Sequence, residues 1–471
     1  MPITLRGNNP YLVLDDASWA VDLGSSTGAL VSAGSGNDTV TGGSGLAHVT
    51  LGNGRNVVAL GGNNNYIRLG NGNDAIALGS GTGHLVAAGN GADTVTGGTG
   101  LVSLTLGDGD DRVALGGNNN TIRLGDGNDR VDLGSGTGHM VQLGGGADTV
   151  VGGTGLVSLT LGVGDDRVGL GGNNNTIRLG GGNDRVDLGS GTGHLVQLGG
   201  GADTVIGGTG LVSLTLGDGN DDVALGGNNN AIRLGGGNDR VDLGSGTGHL
   251  VQLGGGADTV TGGTGLVGLT LGDGNGRIAL GGNNNSIVAG NGIDFVDLGS
   301  GTGSLVRLGD GADTVIGGTG MAGVTLGNGD DSVALGGYNN TIAVGRGADT
   351  IALSGGGNTV KGGGALSVTL NGANNAVFLT GGITTVADHS NALLIQLEAV
   401  SAALTLTTFN AGSGARIDLV GGGGFASVTQ LTASLQGDGA GGTLLSLGNG
   451  GQIHFIQLAP DHLGPGNFSL V

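Results

Sequence analysis

Aspartate is the residue whose spacing suggests chemistry. Asp38, Asp74, Asp93, Asp111, Asp129, Asp148, Asp166, Asp184, Asp203, Asp221, Asp239, Asp258, Asp294, Asp313, Asp331 and Asp349 follow one another at 18 or 19 residues, with two gaps of 36. Each closes a G-x-G-x-D turn. A short, stiff carboxylate suits a hard cation, which takes six to eight oxygen ligands at flexible geometry. Glu398 is the only glutamate and Lys361 the only lysine, so nearly every acid is Asp and nearly every base Arg. A column of Asp at one strand spacing would repel itself strongly without a counter-ion.

The elements that must position this column are read from a repeat. The chain matches itself at a period of 55 residues, with copies starting at Leu51, Leu106, Leu161, Leu216, Leu271 and Leu326. Each copy holds six units of 9, 9, 9, 10, 9 and 9 residues; the one at Leu106 reads LGDGDDRVA, LGGNNNTIR, LGDGNDRVD, LGSGTGHMVQ, LGGGADTVV, GGTGLVSLT. Each unit pairs a glycine turn with a four-residue strand. In RVDL, Val131 and Leu133 alternate with Arg130 and Asp132, the period of two that sends one pair inward. Such short strands cannot bury a face alone, but stacked copies make a continuous thin core of Val, Leu and Ile. Essentially no helix is expected before about residue 385.

Composition agrees. Glycine is 117 of 471 residues, with four prolines, no cysteine and 2% aromatics. Collagen needs glycine near one third on a strict period with much proline, and a disulfide scaffold needs cysteine. A formal charge of -21 disfavours nucleic acid. The 37% apolar content, mostly Val, Leu, Ile and Ala, argues against disorder.

The odd-numbered units resemble the G-G-x-G-x-D-x-U-x nonapeptide of the RTX, or hemolysin-type calcium-binding, family; AGSGNDTVTGGSG at Ala33 is a close match. The resemblance covers roughly residues 5–387. It implies an all-β fold, a parallel β-roll (β-solenoid) in which two nonapeptides make a turn and two sheets stack. About 42 units give about 21 turns and a rod on the order of 100 Å long. It also implies Ca2+ held along one edge by the sixteen aspartates and by backbone carbonyls freed by glycine. At two charges each, about ten or eleven calcium ions would cancel the -21. Trp19, Asn56 and Gly276 occupy the key position in three turns, which puts those sites in doubt. The even units carry Asn120, His139 or Val157 there, so the second edge is expected to be closed by Asn and Gly-Thr-Gly turns. The alternative for the first edge is that Asx turns alone hold it.

Other motifs are weaker. His84, His139, His194 and His249 recur once per copy, three strand spacings or roughly 14 Å apart, too far to share a zinc ion. Gly134-Ser135-Gly136-Thr137-Gly138 resembles a phosphate loop, but no helix or lysine follows it. The outward row Arg123, Gln142, Thr160 is too mixed for an ice-binding array. No nucleophile stands with a base, and no enzyme is expected.

Residues 1–387 are thus expected to form the roll, with no room before it for another domain, and 388–471 a small β-rich C-terminal domain. There LLIQLEAVSAALTLTTF, GARIDLV, GGTLLSLG and GQIHFIQL read as strands with larger apolar residues, resembling the C-terminal regions of RTX proteins exported by type I secretion. MPITLRGNNP lacks the regions of a cleavable signal peptide, and no apolar run reaches membrane-spanning length. The expectation is a secreted bacterial protein, extracellular or on the cell surface, that folds where calcium is available. Extracellular modules bind calcium at about 10⁻⁴–10⁻³ M. The leading function is a calcium-rigidified rod that stacks head to tail into a filament, surface layer or matrix. The second is a secreted adhesin or effector whose C-terminal domain binds a carbohydrate or cell-surface ligand, such as a cell-surface polysaccharide; a carbohydrate-modifying enzyme would need a domain not seen here.

Overall fold

The computed structural model describes residues 3–389, 391–398, 403–448 and 450–471, so residues 399–402 of the first C-terminal strand segment lie outside it. The chain divides into two compact units, Met1–Gly235 and Gly236–Val471.

In the first unit, successive strands alternate between two parallel sheets. Thr94–Gly97 pairs with Arg112–Leu115 and that with Arg130–Asp132 in one sheet. Val102–Thr105, Thr121–Arg123 and His139–Gln142 follow one another in the other. The register advances by 18 residues where both units of a turn have nine (Val95↔Val113), and by 19 where one has ten (Tyr66↔Leu85). Three turns make the 55-residue period. Each sheet has thirteen described strands in this unit.

Burial follows the predicted alternation. Val113, Leu115, Val131 and Leu133 are fully buried, as are Leu104 and Ile122 opposite them. Arg112 and Arg130 point out. The core is therefore one layer of aliphatic side chains between two sheets, too thin for aromatic rings.

The second unit repeats the scheme from Arg240–Asp242 onward. Parallel pairing runs past residue 388: Leu394–Leu397 lies beside Ala376–Leu379, Ala403–Thr408 beside Ile383–Asp388, and Phe468–Leu470 beside Arg416–Leu419. Eleven strands per sheet pair in parallel here, so the roll has a few more turns than the roughly 21 expected. Gln452–Phe455 then starts an antiparallel meander with Thr443–Ser446 and Gln436–Gly437. The one α-helix among the described residues is Val428–Ala433, capped by the Ser427 hydroxyl accepting from the Gln430 amide. Its Leu431 is buried, and Phe409, Phe455 and Phe468 pack edge to face with centroids 5.4 and 6.2 Å apart. Among the described residues, Phe side chains enter the core only here, where the nine-residue constraint has ended.

Candidate metal centre

The turns on one edge are made by glycine at the fourth position of each odd unit. Gly109, Gly127 and Gly146 have φ of 141°, 146° and 136°. A Cβ on Gly127 would lie 2.2 Å from the Gly109 carbonyl oxygen of the preceding turn. Only glycine allows turns to stack this closely.

Two residues later comes the predicted aspartate. All sixteen are buried, each about 1–2% exposed, and they form one column within each unit. In the first unit, the Asp93 amide donates to Asp111 Oδ1 (2.8 Å), the Asp111 amide to Asp129 Oδ1 (2.9 Å), and the Asp129 amide to Asp148 Oδ1 (2.9 Å). In the second, Asp294 donates to Asp313 and Asp313 to Asp331, both at 2.9 Å. The Trp19 and Gly276 amides enter the column as donors to Asp38 and Asp294 and bring no carboxylate of their own.

Each aspartate thus uses one oxygen. The other, Oδ2, is buried without a hydrogen-bond partner at Asp93, Asp111, Asp129, Asp148, Asp166 and Asp184, as in most of the column. Asn56 shows what that atom faces. It occupies the same position, accepts from the Asp38 amide through Oδ1 (3.1 Å), and donates Nδ2 to the carbonyls of Gly52 (3.1 Å) and Gly54 (3.4 Å). In the Asn56 geometry, the isosteric Oδ2 of Asp111 would face the equivalent carbonyls of Gly107 and Gly109, and it has no hydrogen-bond partner. Oxygen facing oxygen in a buried turn calls for a proton or a cation.

The carboxyl groups register this. Burial, with help from the charges of Asp129 and Asp93, pushes Asp111 up to about 8. Burial likewise raises Asp93, Asp148 and Asp184 to about 7, and Asp129, Asp166 and Asp331 to about 6. Among the described residues, no three acidic or histidine side chains converge on one point. A bound ion would therefore take one carboxylate oxygen per turn and complete its shell from glycine carbonyls, a donor set that fits calcium and not zinc.

The opposite edge is closed without an ion. Asn120 Oδ1 accepts from the Val102 amide (3.0 Å) while its Nδ2 donates to the Gly117 carbonyl (3.2 Å). The Asn120 amide donates in turn to His139 Nδ1 at 3.4 Å, and burial holds that imidazole below its usual pKa. The histidines sit buried in the turns of this edge, Nδ1 accepting a backbone amide while Nε2 has no hydrogen-bond partner at His84, His139 and His194.

The chain matches the RTX calcium-binding nonapeptide repeat (4 copies) over residues 24–45, 50–85, 87–122, 105–140, 143–177, 171–195, 198–232 and 325–364, together just over half its length. The protein belongs to the RTX calcium-binding repeat family. Its repeats are accordingly calcium-binding, and its fold is the parallel roll. None of the curated proteins matches the chain, and none of the solved structures does.

One feature of this RTX edge escaped sequence reasoning. Two outer ladders flank the buried column: Asp108 Oδ1 accepts from the Asp126 amide (3.1 Å), and Asp110 Oδ1 from the Asn128 amide (2.8 Å). The signal was the frequency of Asp and Asn at the two variable positions of G-x-G-x-D.

Proposed function

We propose that this is a secreted structural protein of the bacterial exterior, stiffened by calcium along its Asp edge and self-assembling into a filament, surface layer or matrix. The reading is carried by the column of buried, unpartnered carboxylate oxygens. Such a column is unfavourable without cations and rigid with them, and it spans many turns in which no unique catalytic constellation appears. We assign all sixteen aspartates to calcium, with Trp19, Asn56 and Gly276 as ion-poor positions. Residues 388–471, where the period ends and helix, meander and aromatic core begin, act as a terminal cap and type I secretion region. Export before folding is consistent with this design, because metal binding contributes folding free energy directly.

Electron microscopy and sedimentation of the purified full chain test the assembly. Calcium should convert it to ordered polymers that chelator dissolves. Monodisperse particles at millimolar calcium would leave a monomeric export and adhesion module instead.

A further inference from the structure

The outward face of one sheet in the first unit carries arginine in an arrangement that packing does not require. Arg112 pairs in register with Arg130, and Arg167 with Arg185, with Thr149 between the two pairs. All four side chains are exposed. Among the described residues none of the four makes an ion pair or a side-chain hydrogen bond. Like charges directly opposite one another destabilise a sheet. Their recurrence one copy later, in a chain with a formal charge of -21, makes them a feature to be explained.

The acidic residues on their own strands do not pair with them. Asp132 and Asp187 lie two residues along the same strands, but each points Oδ1 back to accept from the Gly134 or Gly189 amide (2.9 Å) and close the turn. Between the guanidinium groups and the small residues beside them lies a shallow groove of about 250 Å³, lined by Thr94, Thr96, Arg112, Ala114, Arg130 and Asp132.

We propose that these paired arginines bind an extended acidic polysaccharide lying along the stacking direction of the strands. Two planar forks one strand spacing apart, about 4.8 Å, can share one carboxylate or sulfate group. The next pair stands three spacings on, about 14 Å away, so the ligand is a polymer with acid groups at intervals. No aromatic residue stands on this face between Thr94 and Ile206 to anchor a protein partner. A single-stranded nucleic acid would need stacking platforms, which are missing for the same reason. This deepens the extracellular reading by naming a partner class, and it requires of that reading only that the roll be folded.

The test uses the full chain in saturating calcium, with fluorescent dextran sulfate as probe and neutral dextran as control. Dextran sulfate should bind with an affinity that falls as salt rises, and neutral dextran should not bind. The variant R112Q/R130Q/R167Q/R185Q should lose roughly tenfold or more in affinity. R68Q/R123Q/R178Q, on the other sheet, should lose less than about twofold. Circular dichroism and calcium midpoint on the same samples separate loss of the site from loss of the fold. Should the quadruple variant unfold, R112Q/R130Q alone is read in its place. Unchanged binding by the folded variant overturns the proposal. So does binding of phosphatidylserine vesicles without dextran sulfate, or a change in self-association as the only effect of the substitutions.

Discussion

Acid should fold what chelation unfolds. Without calcium, the roll must hold a row of buried carboxyl groups whose pKa values are raised from 3.8 to between about 6 and about 8, first by burial and then by one another. One pKa unit corresponds to about 1.4 kcal/mol, so Asp111, which keeps its proton in the roll at pH 7 and loses it in the unfolded chain, costs the folded state about 4 kcal/mol. Six consecutive turns of the first unit, Asp93 through Asp184, carry such groups. Discounted several-fold for coupling, their joint cost is still on the order of 10 kcal/mol, comparable to the whole stability of a typical domain. The sign is fixed by the direction of the shifts. A carboxyl with a raised folded-state pKa binds its proton more tightly in the roll, so its contribution is present below about pH 4 and lost as pH rises through 6 to 8. Far-UV circular dichroism in excess chelator should therefore show little β signal at pH 8 and recover it toward pH 5. With calcium the roll should be folded at pH 8; as pH falls, the calcium needed to fold the chain should decrease, while the midpoint of calcium binding measured directly should move to higher concentration, because protons and calcium compete for Oδ2. A chelated chain equally folded at pH 5 and pH 8, or a calcium midpoint indifferent to pH, would refute this account of the edge.

Two substitutions probe single turns. Asp111→Asn copies Asn56, so its amide should satisfy the Gly107 and Gly109 carbonyls; the chelated roll should gain about 2–4 kcal/mol at pH 8, seen as β signal at higher pH, while calorimetry finds fewer calcium ions bound. Gly127→Ala places a Cβ 2.2 Å from the Gly109 carbonyl oxygen at a φ of 146° and should cost about 2–4 kcal/mol, read as a raised calcium midpoint, whereas Gly116→Ala, whose nearest neighbour is 3.7 Å away, should cost less than about 1 kcal/mol.

Periodicity made most of the fold legible, because in a roll each position of the unit has one environment. The valine of every RVDL-like strand is inside because the next turn's valine is inside, and the Asp column follows from the same translation. Periodicity could not separate residues of one type with different tasks. The run Asn118-Asn119-Asn120 looks uniform, yet Asn118 Oδ1 accepts from the Thr137 amide, Asn119 adopts φ of 60° to turn the chain, and Asn120 spans two turns through both ends of its amide. Nor could it follow the chain past residue 388, where pairing partners come from distant segments: Ala403–Thr408 takes Gln452–Phe455, and Arg416–Leu419 takes Phe468–Leu470. Such contacts depend on tertiary packing of Phe409, Phe455 and Phe468, which no local spacing announces.

The two edges differ at the key position by one functional group. At the Asn positions of the other edge, the second side-chain atom is an NH₂ that donates to a carbonyl three residues back, so that side chain is satisfied whenever the chain is folded. On the Asp edge, the atom in that place is a buried oxygen without a hydrogen-bond partner, which calls for a cation or a proton to supply the missing positive charge. Asn at both edges would give a solenoid indifferent to calcium. Asp at both would double a cost of buried carboxylates that already matches the stability of a domain. With one of each, half of every turn forms from the chain alone and the other half is conditional, so calcium acts as a switch on a fold whose register the Asn edge has already defined. The gaps in the column fit the same logic. At Asn56 an amide stands where a charge would be, interrupting the like-charge repulsion between Asp38 and Asp74 without interrupting the hydrogen bonds that carry the register across.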